Sequence, residues 1–457
     1  MKARGLLLLL PFGLVAWAHW LRCIQQGRRA QAAELHAPSL KRRELLLTRR
    51  SRLRWLHRKR ATAEGVLPNA TSELSPGGEE GLAPIGGVDV AELADRRPTC
   101  HGRKPFHVLL TATGQVYQQW QCRVMYYHWK KQRANDPAGA CTEMTGFSRL
   151  VATPRGAPDG LEGEIPSIFV KEFDPSMQMR FHGYRVINRP HSVVQLIETP
   201  ELWKRIEEDY IYIAETDHIL MHPIPNLASL GSPMAYVFNY MGPNPAHAEI
   251  IRKMWPEGGP SGYQNVQPIG PSPVVIHRSD LERIAKPWEK IAIALKTDSV
   301  ADQTFGWHCQ PCHSPFAALA AAKIGLKHQE LVDFQVEPGA LSARSQLRDF
   351  SSRYWIFHYT YQFEYMLDGT PCKPWTIGEY SLDKRHFSDV YPIAPLPEPP
   401  ANSNEAAFYL LHAFNEAMAA IPDWPTRQPS NAPPKQTLYG RGDDASSKTP
   451  TWGKICV

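Results

Sequence analysis

A short apolar run that ends in two carboxylates constrains this chain more than any other feature. Residues 210–214 read Tyr-Ile-Tyr-Ile-Ala, and Glu215-Thr216-Asp217-His218 follows directly. The run predicts a buried strand, and two acids at positions i and i+2 point to the same side if strand geometry continues. At a strand end such a pair can converge on one divalent cation, although many strand-end acids only cap the turn that follows.

Strand and helix patterns alternate in the chain before this acid pair. Residues 106–113 form an apolar run that ends in small polar residues, which predicts a buried parallel strand. The elements predicted after it are a helix over 115–133, strands over 147–153 and 167–170, and a helix over 190–206 that breaks at Pro200. This alternation favours an α/β sheet, and ligands of such sheets bind at the carboxyl ends of the strands.

The chain of 457 residues divides into four parts by composition. We expect a membrane anchor over residues 1–24, a stem over 25–105, a globular domain over 106–424 and a disordered tail rich in Pro, Ser and Gly over 425–457. The anchor rests on the apolar run from Gly5 to about Ile24, which is long enough to span a bilayer. A cleaved signal peptide is the main alternative.

The net charge of +6 is concentrated near the N-terminus, because residues 21–60 carry thirteen Lys and Arg against Glu34 and Glu44. By the positive-inside rule this segment, and the domain after it, would stay in the cytosol. The sequon at Asn69 is usable only if the domain is luminal. A nucleic-acid-binding function would rest on this one basic segment, and we expect no nucleic-acid partner.

Two more segments carry side chains that can bind metals. His358 lies in the aromatic run 355–361, where it is either a late metal ligand or a satisfied core residue. The stretch 309–313, Cys-Gln-Pro-Cys-His, is half of a zinc pattern, but no second pair with matching spacing follows, which favours a redox pair, a structural pair or no role. In an oxidising lumen some of the eight Cys would form disulfides, whose connectivity stays open.

Several segments, in one order, resemble the hydroxyproline O-arabinosyltransferase family of plants and green algae. The match covers roughly residues 106–390 and rests on His107–Thr113, Gln119–Tyr127, Glu164–Pro166, Val186–Pro190, Glu215–Ile219, Pro223–Ala228, Pro268–Val274, Phe305–Trp307, His358–Tyr361, Ile377–Tyr380 and Asp383–Arg385. The resemblance implies a glycosyltransferase-A-like, Rossmann-type mixed sheet flanked by helices, in a type II Golgi membrane protein with a luminal catalytic domain.

The resemblance also implies a reaction. The donor would be UDP-β-L-arabinofuranose, and the acceptor would be the 4-hydroxyl of hydroxyproline in secreted Pro-rich glycoproteins. Mn²⁺ or Mg²⁺ would offset the charge of the departing diphosphate. The linkages imply retention of configuration, with the acceptor hydroxyl as nucleophile on a front-face path that needs no protein base, so no catalytic side chain is assigned.

Carried over by position, three residues become metal ligands under this resemblance: Asp217, His358 and Glu215. Glu215 has a second interpretation, which is contact with the donor ribose or with the metal through water. His218 is either a ligand or only a neighbour of the site.

Four further residues are expected to contact the donor. Thr111 and Thr113, at the end of the first strand, are placed to meet the uridine. Arg123 and Arg189 are candidates for pairing with phosphate, which suits a guanidinium fork. For each arginine a structural salt bridge is the alternative.

One segment departs from the family pattern. After residues 305–307 the family continues with a hydrophobic helix that carries an acid, whereas residues 308–315 here contain two prolines that would break it. A helical pattern resumes over 317–324. The departure motivates a second hypothesis, a catalytically inactive Golgi protein that binds a sugar or a protein. A third is a peptidyl-serine galactosyltransferase of related sequence.

Overall fold

The computed structural model describes residues 100–181, 184–238, 244–304, 315–343, 347–373, 376–426 and 454–456. The chain divides into two compact units, Met1–Arg97 and Pro98–Val457, and every described residue belongs to the second. The predicted anchor, nearly all of the predicted stem and the stretch 308–314 lie outside the described residues. Among the described helices, none combines the length and the apolar character that crossing a bilayer requires.

Strands and helices alternate through the first half of the described domain. The described strands are β1 (Phe106–Thr113), β2 (Met144–Thr153), β3 (Ser167–Lys171), β4 (Tyr210–Ala214), β5 (His218–Leu220), β6 (Met234–Val237), β7 (Ile269–His277), β8 (Gln329–Leu331), β9 (Gln335–Val336), β10 (Ile356–His358), β11 (Phe363–Tyr365), β12 (Thr376–Ile377), β13 (Tyr380–Leu382) and β14 (Lys454–Ile455). The described α-helices are α1 (Val116–Ala134), α2 (Pro175–Arg180), α3 (Asn188–Glu198), α4 (Pro200–Trp203), α5 (Ala248–Met254), α6 (Arg278–Thr297), α7 (Ser299–Thr304), α8 (Pro315–Lys323), α9 (Phe350–Arg353) and α10 (Glu405–Ala420).

The sequence-based elements are confirmed. The strands predicted over 106–113 and 210–214 have the predicted ends, and the long helix predicted over 115–133 is α1. The helix predicted over 190–206 is divided between α3 and α4, with Pro200 at the start of α4, because proline fits the first turn of a helix but not its interior.

Seven of the described strands form one mixed sheet in the order β3-β2-β1-β4-β7-β6-β8, which confirms the predicted α/β class. β1 pairs in parallel with β2 and β4, whereas β7 runs antiparallel to β4 and β6. Parallel pairing places the carboxyl ends of β1 and β4 at one edge of the sheet. Because Leu110 pairs with Ala214, Thr111 is level with Glu215 at that edge.

The central strands are continuous apolar runs because both faces of the sheet are covered. On one face, Leu109 and Ile213 join a core with side chains of α3, α6 and α8. On the other face, Val108 and Leu110 pack in a core with Met125 of α1. Each aliphatic side chain buried in this way stabilises the fold by about 1.5–3 kcal/mol, so the edge that carries Glu215 is rigidly supported.

A second sheet begins where the chain leaves β4. It has three strands in the order β5-β10-β9. β5 and β10 are antiparallel, with His218 opposite His358 and Ile219 opposite Phe357. This pairing brings His358, which lies late in the chain, close to the end of β4.

Helix α1 links the main sheet to the C-terminal helix α10. The Trp120 side chain is fully buried between them, and its ring meets Phe414 of α10 edge-on, with 5.8 Å between ring centroids. Its indole Nε1 donates to the carbonyl of Phe387 at 3.0 Å. The segment after β13, which includes Phe387, is thereby held against α1.

Two disulfides join described residues, Cys100–Cys141 and Cys372–Cys456. The second lies beside a strand pair, since β14 runs parallel to β12. Residues 454–456, which lie within the tail predicted to be disordered over 425–457, are joined to the domain by this disulfide and this strand pairing. Residues 427–453 of that tail lie outside the described residues.

A buried chain of hydrogen bonds crosses the ribbon formed by β11 and β13. The carboxyl group of Glu364 accepts from the N–H of Gly378 at 2.8 Å and lies 2.7 Å from the hydroxyl oxygen of Ser381. That hydroxyl lies 2.6 Å from Nε2 of His386. Burial raises the pKa of Glu364 from 4.5 to about 7. A protonated carboxyl fits the site, because its O–H can donate to Ser381 while the Ser381 O–H donates to His386.

We predict that Glu364→Gln stabilises the protein at about pH 8 but not at about pH 4.5. Between pH 4.5 and about 7 the folded protein keeps the Glu364 proton and the unfolded chain loses it. The free energy of unfolding therefore falls as pH rises through this window, by up to about 3 kcal/mol, and glutamine has no proton to lose. Chemical denaturation at both pH values measures the difference.

The exposed Glu249 supplies a matched control, since Glu249→Gln should leave the pH dependence of unfolding as in the wild type. If Glu364→Gln keeps the wild-type pH dependence as well, the protonated carboxyl is excluded.

Candidate metal and donor site

The acid pair lies in the turn between β4 and β5. The N–H of His218 donates to the carbonyl of Glu215 at 3.4 Å, and the N–H of Tyr359 donates to the carbonyl of Asp217 at 3.2 Å. These bonds fix the turn against the segment that follows β10. The side chains of Glu215 and Asp217 are 21% and 14% exposed, so they are mostly enclosed but accessible to a ligand.

Two histidines converge with the acid pair. The ligand atoms of Glu215, Asp217, His218 and His358 all lie within 4.8 Å of one another. Nε2 of His358 is 3.2 Å from a carboxylate oxygen of Glu215 and 3.2 Å from Oδ2 of Asp217. The structure thus brings the three predicted metal ligands together and adds His218 to them.

The ring of His358 is oriented from its other side. Nδ1 lies 2.8 Å from a carboxylate oxygen of Glu337 and 3.0 Å from the side-chain amide of Gln335. Burial disfavours the charged ring, but Asp217, Glu215 and Glu337 raise the pKa of His358 well above its ordinary value. With Nδ1–H donating to Glu337, Nε2 is the atom that faces the acid pair. A carboxylate behind a histidine is the usual support of a histidine that binds a metal.

His218 contributes a polar atom that the described protein leaves unsatisfied. Its ring is fully buried, Nδ1 lies 3.0 Å from the hydroxyl of Tyr212, and Nε2 has no hydrogen-bond partner among the described residues. That Nε2 is 3.9 Å from Glu215. Burial, followed by the nearby charge of His358, lowers the pKa of His218 to about 3, so the ring is neutral. The backbone N–H of Glu215 also lies 3.4 Å from this Nδ1. In the tautomer whose Nδ1–H donates to the Tyr212 hydroxyl, the neutral imidazole offers Nε2 to a cation.

This donor set fits a divalent cation. Two carboxylates and two imidazoles suit Mn²⁺ better than Mg²⁺, which prefers oxygen ligands and keeps several waters. The unsatisfied Nε2 of His218 favours a bound cation over a purely structural network of ion pairs, because buried polar atoms in proteins are normally hydrogen-bonded.

Two permanently charged side chains flank the acid pair. Arg189, at the start of α3, contacts Glu215 at 2.5 Å, and Lys384 is bonded to Asp217. Burial raises the pKa of each carboxyl, but these cations and His358 outweigh it. The pKa of Glu215 is therefore lowered, and the pKa of Asp217 lies well below its ordinary value. Both acids are ionised and ready to bind a cation at neutral pH.

The two threonines predicted to meet the uridine lie at the expected edge, but both hydroxyls have protein partners. Thr111 donates to the carbonyl of Ala214 at 3.2 Å and accepts from Nε of Arg189 at 3.0 Å, so it positions that arginine. The Thr113 hydroxyl donates to the side-chain oxygen of Gln118 at 2.9 Å. Contact of either residue with a nucleoside stays a prediction.

Arg123 forms the salt bridge that was its alternative interpretation, and its contact with phosphate stays a prediction. Its Nε donates to the carboxylate of Glu164 at 2.8 Å, and its Nη2 donates to the carbonyl of Pro422. The guanidinium carbon lies 5.2 Å from the ring centre of Trp424. These contacts fix α1 against the segment after α10. Of the two arginines, Arg189 is the one that reaches the acid pair.

Sequence reasoning missed two residues of this site, Glu337 and Lys384. Lys384 belongs to the stretch Asp383–Arg385, which supported the family resemblance, yet nothing in its local sequence indicates a partner in Asp217. Glu337 follows β9, a two-residue strand that no local pattern predicts. Both contacts depend on chain segments that meet only in the folded protein.

The fold and the site together define a class of enzyme. An α/β sheet that gathers carboxylates, imidazoles and fixed positive charges at the carboxyl ends of its strands can hold a divalent cation against an anionic ligand. Glycosyltransferases whose leaving group is a nucleoside diphosphate can use this arrangement, because a cation offsets the charge of the departing diphosphate.

The chain belongs to the hydroxyproline O-arabinosyltransferase family and is a glycosyltransferase. The model of the family's N-terminal domain matches residues 106–329, and that of its C-terminal domain matches residues 355–425. Glu215, Asp217, His218 and His358 all lie inside these two matched segments.

Relatives of known name agree with this assignment. Hydroxyproline O-arabinosyltransferase RDN2 of Medicago truncatula is 38% identical over 71% of this chain and 83% of its own length. Hydroxyproline O-arabinosyltransferase 3 of Arabidopsis thaliana is 38% identical over 70% of this chain and 83% of its own length. Among solved structures, mouse xyloside xylosyltransferase 1 aligns over 56% of this chain and 98% of its own at 11% identity, with a TM-score of 0.28 that supports no argument.

We predict that Glu337→Gln weakens Mn²⁺ binding about tenfold to a hundredfold, because loss of the carboxylate behind His358 frees the ring and lowers its basicity. Titration of the full-length protein with Mn²⁺, followed by electron paramagnetic resonance, measures the affinity. Glu330→Gln, on the exposed part of β8, is the matched control and should bind Mn²⁺ as the wild type does. An unchanged affinity in folded Glu337→Gln contradicts the positioning role.

Proposed function

We propose that this protein transfers L-arabinofuranose from UDP-β-L-arabinofuranose to the 4-hydroxyl of hydroxyproline in secreted Pro-rich proteins. The names of the relatives support this acceptor and this sugar for the family. The observation that carries the proposal to this chain is the convergence of Glu215, Asp217, His218 and His358 at the end of β4. A glycosyltransferase-A arrangement of the sheet is part of the proposal, supported by the acid pair at a strand end.

In this mechanism the chain binds a divalent cation through the four clustered side chains and positions the donor at the same edge. The cation, which we propose is Mn²⁺, would neutralise the charge that develops on the departing diphosphate. Arg189 is aimed at that region by its bonds to Glu215 and Thr111, and its charge attracts the anionic donor. Thr111 orients the Arg189 guanidinium through this hydrogen bond.

Front-face transfer with retention of configuration is supported by the state of the carboxylates. Both carboxylates of the cluster have a cationic partner, since Glu215 contacts Arg189 and Asp217 contacts Lys384. The neighbouring Glu337 contacts His358. Because the pKa values of Glu215 and Asp217 are lowered, these groups are weak bases. The acceptor hydroxyl is then the nucleophile, and its proton passes to the leaving phosphate.

The direct test is incubation of the full-length protein with UDP-arabinofuranose, Mn²⁺ and a hydroxyproline peptide, followed by mass spectrometry. We predict the addition of one pentose to the peptide and a loss of at least about a hundredfold in rate in Asp217→Asn, which keeps the shape but removes a charged ligand. Asp209→Asn, just before β4 and exposed, is the matched control and should retain the wild-type rate.

Alternative substrates separate the rival hypotheses. Transfer of galactose to a serine peptide in place of arabinose to hydroxyproline would reassign the enzyme to the peptidyl-serine galactosyltransferases. No release of UDP from any donor, with or without Mn²⁺, would leave a binding protein of the same fold.

We further propose that residues 1–24 anchor the protein in the Golgi membrane with the catalytic domain in the lumen. The two disulfides among the described residues support an oxidising compartment, because such bonds are rare in the cytosol. The basic segment 21–60 favours the opposite, cytosolic position under the positive-inside rule.

Glycosylation of Asn69 decides between these orientations. We predict that full-length protein from a eukaryotic host loses mass on treatment with a glycosidase that removes N-linked sugars, because a luminal sequon is accessible to the transferase that adds them. Asn69→Gln should run on a gel like the treated wild type. Identical mobility of treated and untreated wild-type protein would place the domain in the cytosol.

A further inference from the structure

Lys384 is a mostly buried lysine that has no role in the proposed transfer step. It follows β13 in a short turn, where Asp383 accepts from the N–H of Arg385 at 2.9 Å and from the Arg385 guanidinium at 2.8 Å. These bonds fix the backbone on both sides of Lys384. Its side chain is only 12% exposed, and its ammonium lies 5.5 Å from the ring centre of Tyr359. The turn therefore delivers one positive charge to the inside of the site.

The ammonium group is bonded to the oxygen of Asp217 that also faces His358. Nζ of Lys384 and Nε2 of His358 both contact Oδ2 of Asp217. Because Asp217 belongs to the four-residue cluster, a cation bound there competes with Lys384 for the same carboxylate. The bound cation and the Lys384 ammonium have the same sign of charge, and they repel each other strongly at this short distance in an enclosed site.

Arg189 and Lys384 differ in how firmly they are held. Arg189 is bonded to Glu215 and to Thr111 through a planar group that both contacts fix. Lys384 has Asp217 as its one ion-pair partner among the described residues, and its ammonium sits on a flexible four-carbon stem. Of the two permanent charges beside the acid pair, Lys384 is the one that can change partner without disturbing the sheet.

We propose that Lys384 is a phosphate-binding residue. When Asp217 binds the cation, the Lys384 ammonium moves from Asp217 to the diphosphate of the nucleotide sugar. This inference rests on the proposed function, because only a donor with a diphosphate brings the anion that Lys384 needs. Lys384 then has two successive partners of the same charge, the carboxylate and the phosphate. Binding of the cation to Asp217 frees Lys384 for the phosphate, and binding of the phosphate to Lys384 frees Asp217 for the cation. Cation and donor therefore bind cooperatively.

Binding measurements on the full-length protein test the exchange without relying on turnover. Isothermal titration calorimetry measures the affinity for UDP at saturating Mn²⁺, and electron paramagnetic resonance measures the affinity for Mn²⁺ without nucleotide. In Lys384→Met we expect UDP to bind about tenfold to a hundredfold more weakly, which is the usual loss when one charge-assisted hydrogen bond is removed. Mn²⁺ alone should bind at least as tightly as in the wild type, because its competitor is gone.

Two controls define the specificity of that result. Lys384→Arg keeps the charge and should retain UDP affinity to within a few-fold. Lys286→Met removes a lysine that is 60% exposed on α6, where it pairs with Glu198, and should leave both affinities unchanged. UDP affinity in Lys384→Met that equals the wild type overturns the proposal. So does a parallel loss of Mn²⁺ and UDP affinity, which indicates that Lys384 only supports the cation site.

A second pair of variants applies if Lys384→Met fails to fold with Asp217 left unpaired. Asp217→Asn frees Lys384 and should bind UDP without metal more tightly than the wild type does without metal. Asp217→Asn/Lys384→Met removes the two charges together and should lose that gain. Equal UDP affinity in these two variants overturns the proposal.

Failure of the proposed function gives a different pattern. Wild-type protein that binds no UDP with Mn²⁺ present refutes the donor class and the Lys384 proposal with it. Wild-type protein that binds UDP through Lys384 but transfers no arabinose supports the phosphate-binding role and refutes only the sugar or the acceptor.

Discussion

Two carboxylates held within a few ångströms of each other at the tip of one buried strand repel, and the rest of the site is arranged around that repulsion. Glu215 and Asp217 belong to a cluster less than 4.8 Å across. At that separation two unit charges in a partly enclosed site repel by on the order of 3 kcal/mol. Arg189, Lys384 and His358 offset this cost, and as a result both acids stay ionised although protein surrounds most of their surface.

The cations reach the acid pair from separate parts of the fold. The main sheet sets the position of β4, α3 carries Arg189, and the second sheet places His358 opposite His218. Lys384 arrives from a turn that α1 holds in place through the bond from Trp120 to Phe387. A disturbance of any of these supports would leave a carboxylate without its partner, so the packing of the domain and the charge balance of the site are linked.

The same charges serve a glycosyltransferase in a second way. A nucleotide sugar carries its negative charge on the diphosphate, and a site that already balances two carboxylates with two permanent cations becomes an anion site as soon as those carboxylates bind a metal. The site around His218, whose Nε2 has no hydrogen-bond partner among the described residues, could hold such a metal. Membership of the hydroxyproline O-arabinosyltransferase family and the physical chemistry of the cluster therefore agree.

The sequence alone determined the central strands, the long helix after β1 and the acid pair at the end of β4, because apolar runs and their boundaries are local properties of the chain. It also indicated His358, but only family resemblance gave it a role. Only the tertiary structure decided that Arg123 pairs with Glu164, that Arg189 reaches Glu215, and that Lys384, 167 residues further along the chain, neutralises Asp217. Ion pairs of this kind depend on strand register and turn geometry. Two residues distant in sequence meet only when the hydrophobic packing of the sheets has fixed the positions of both residues.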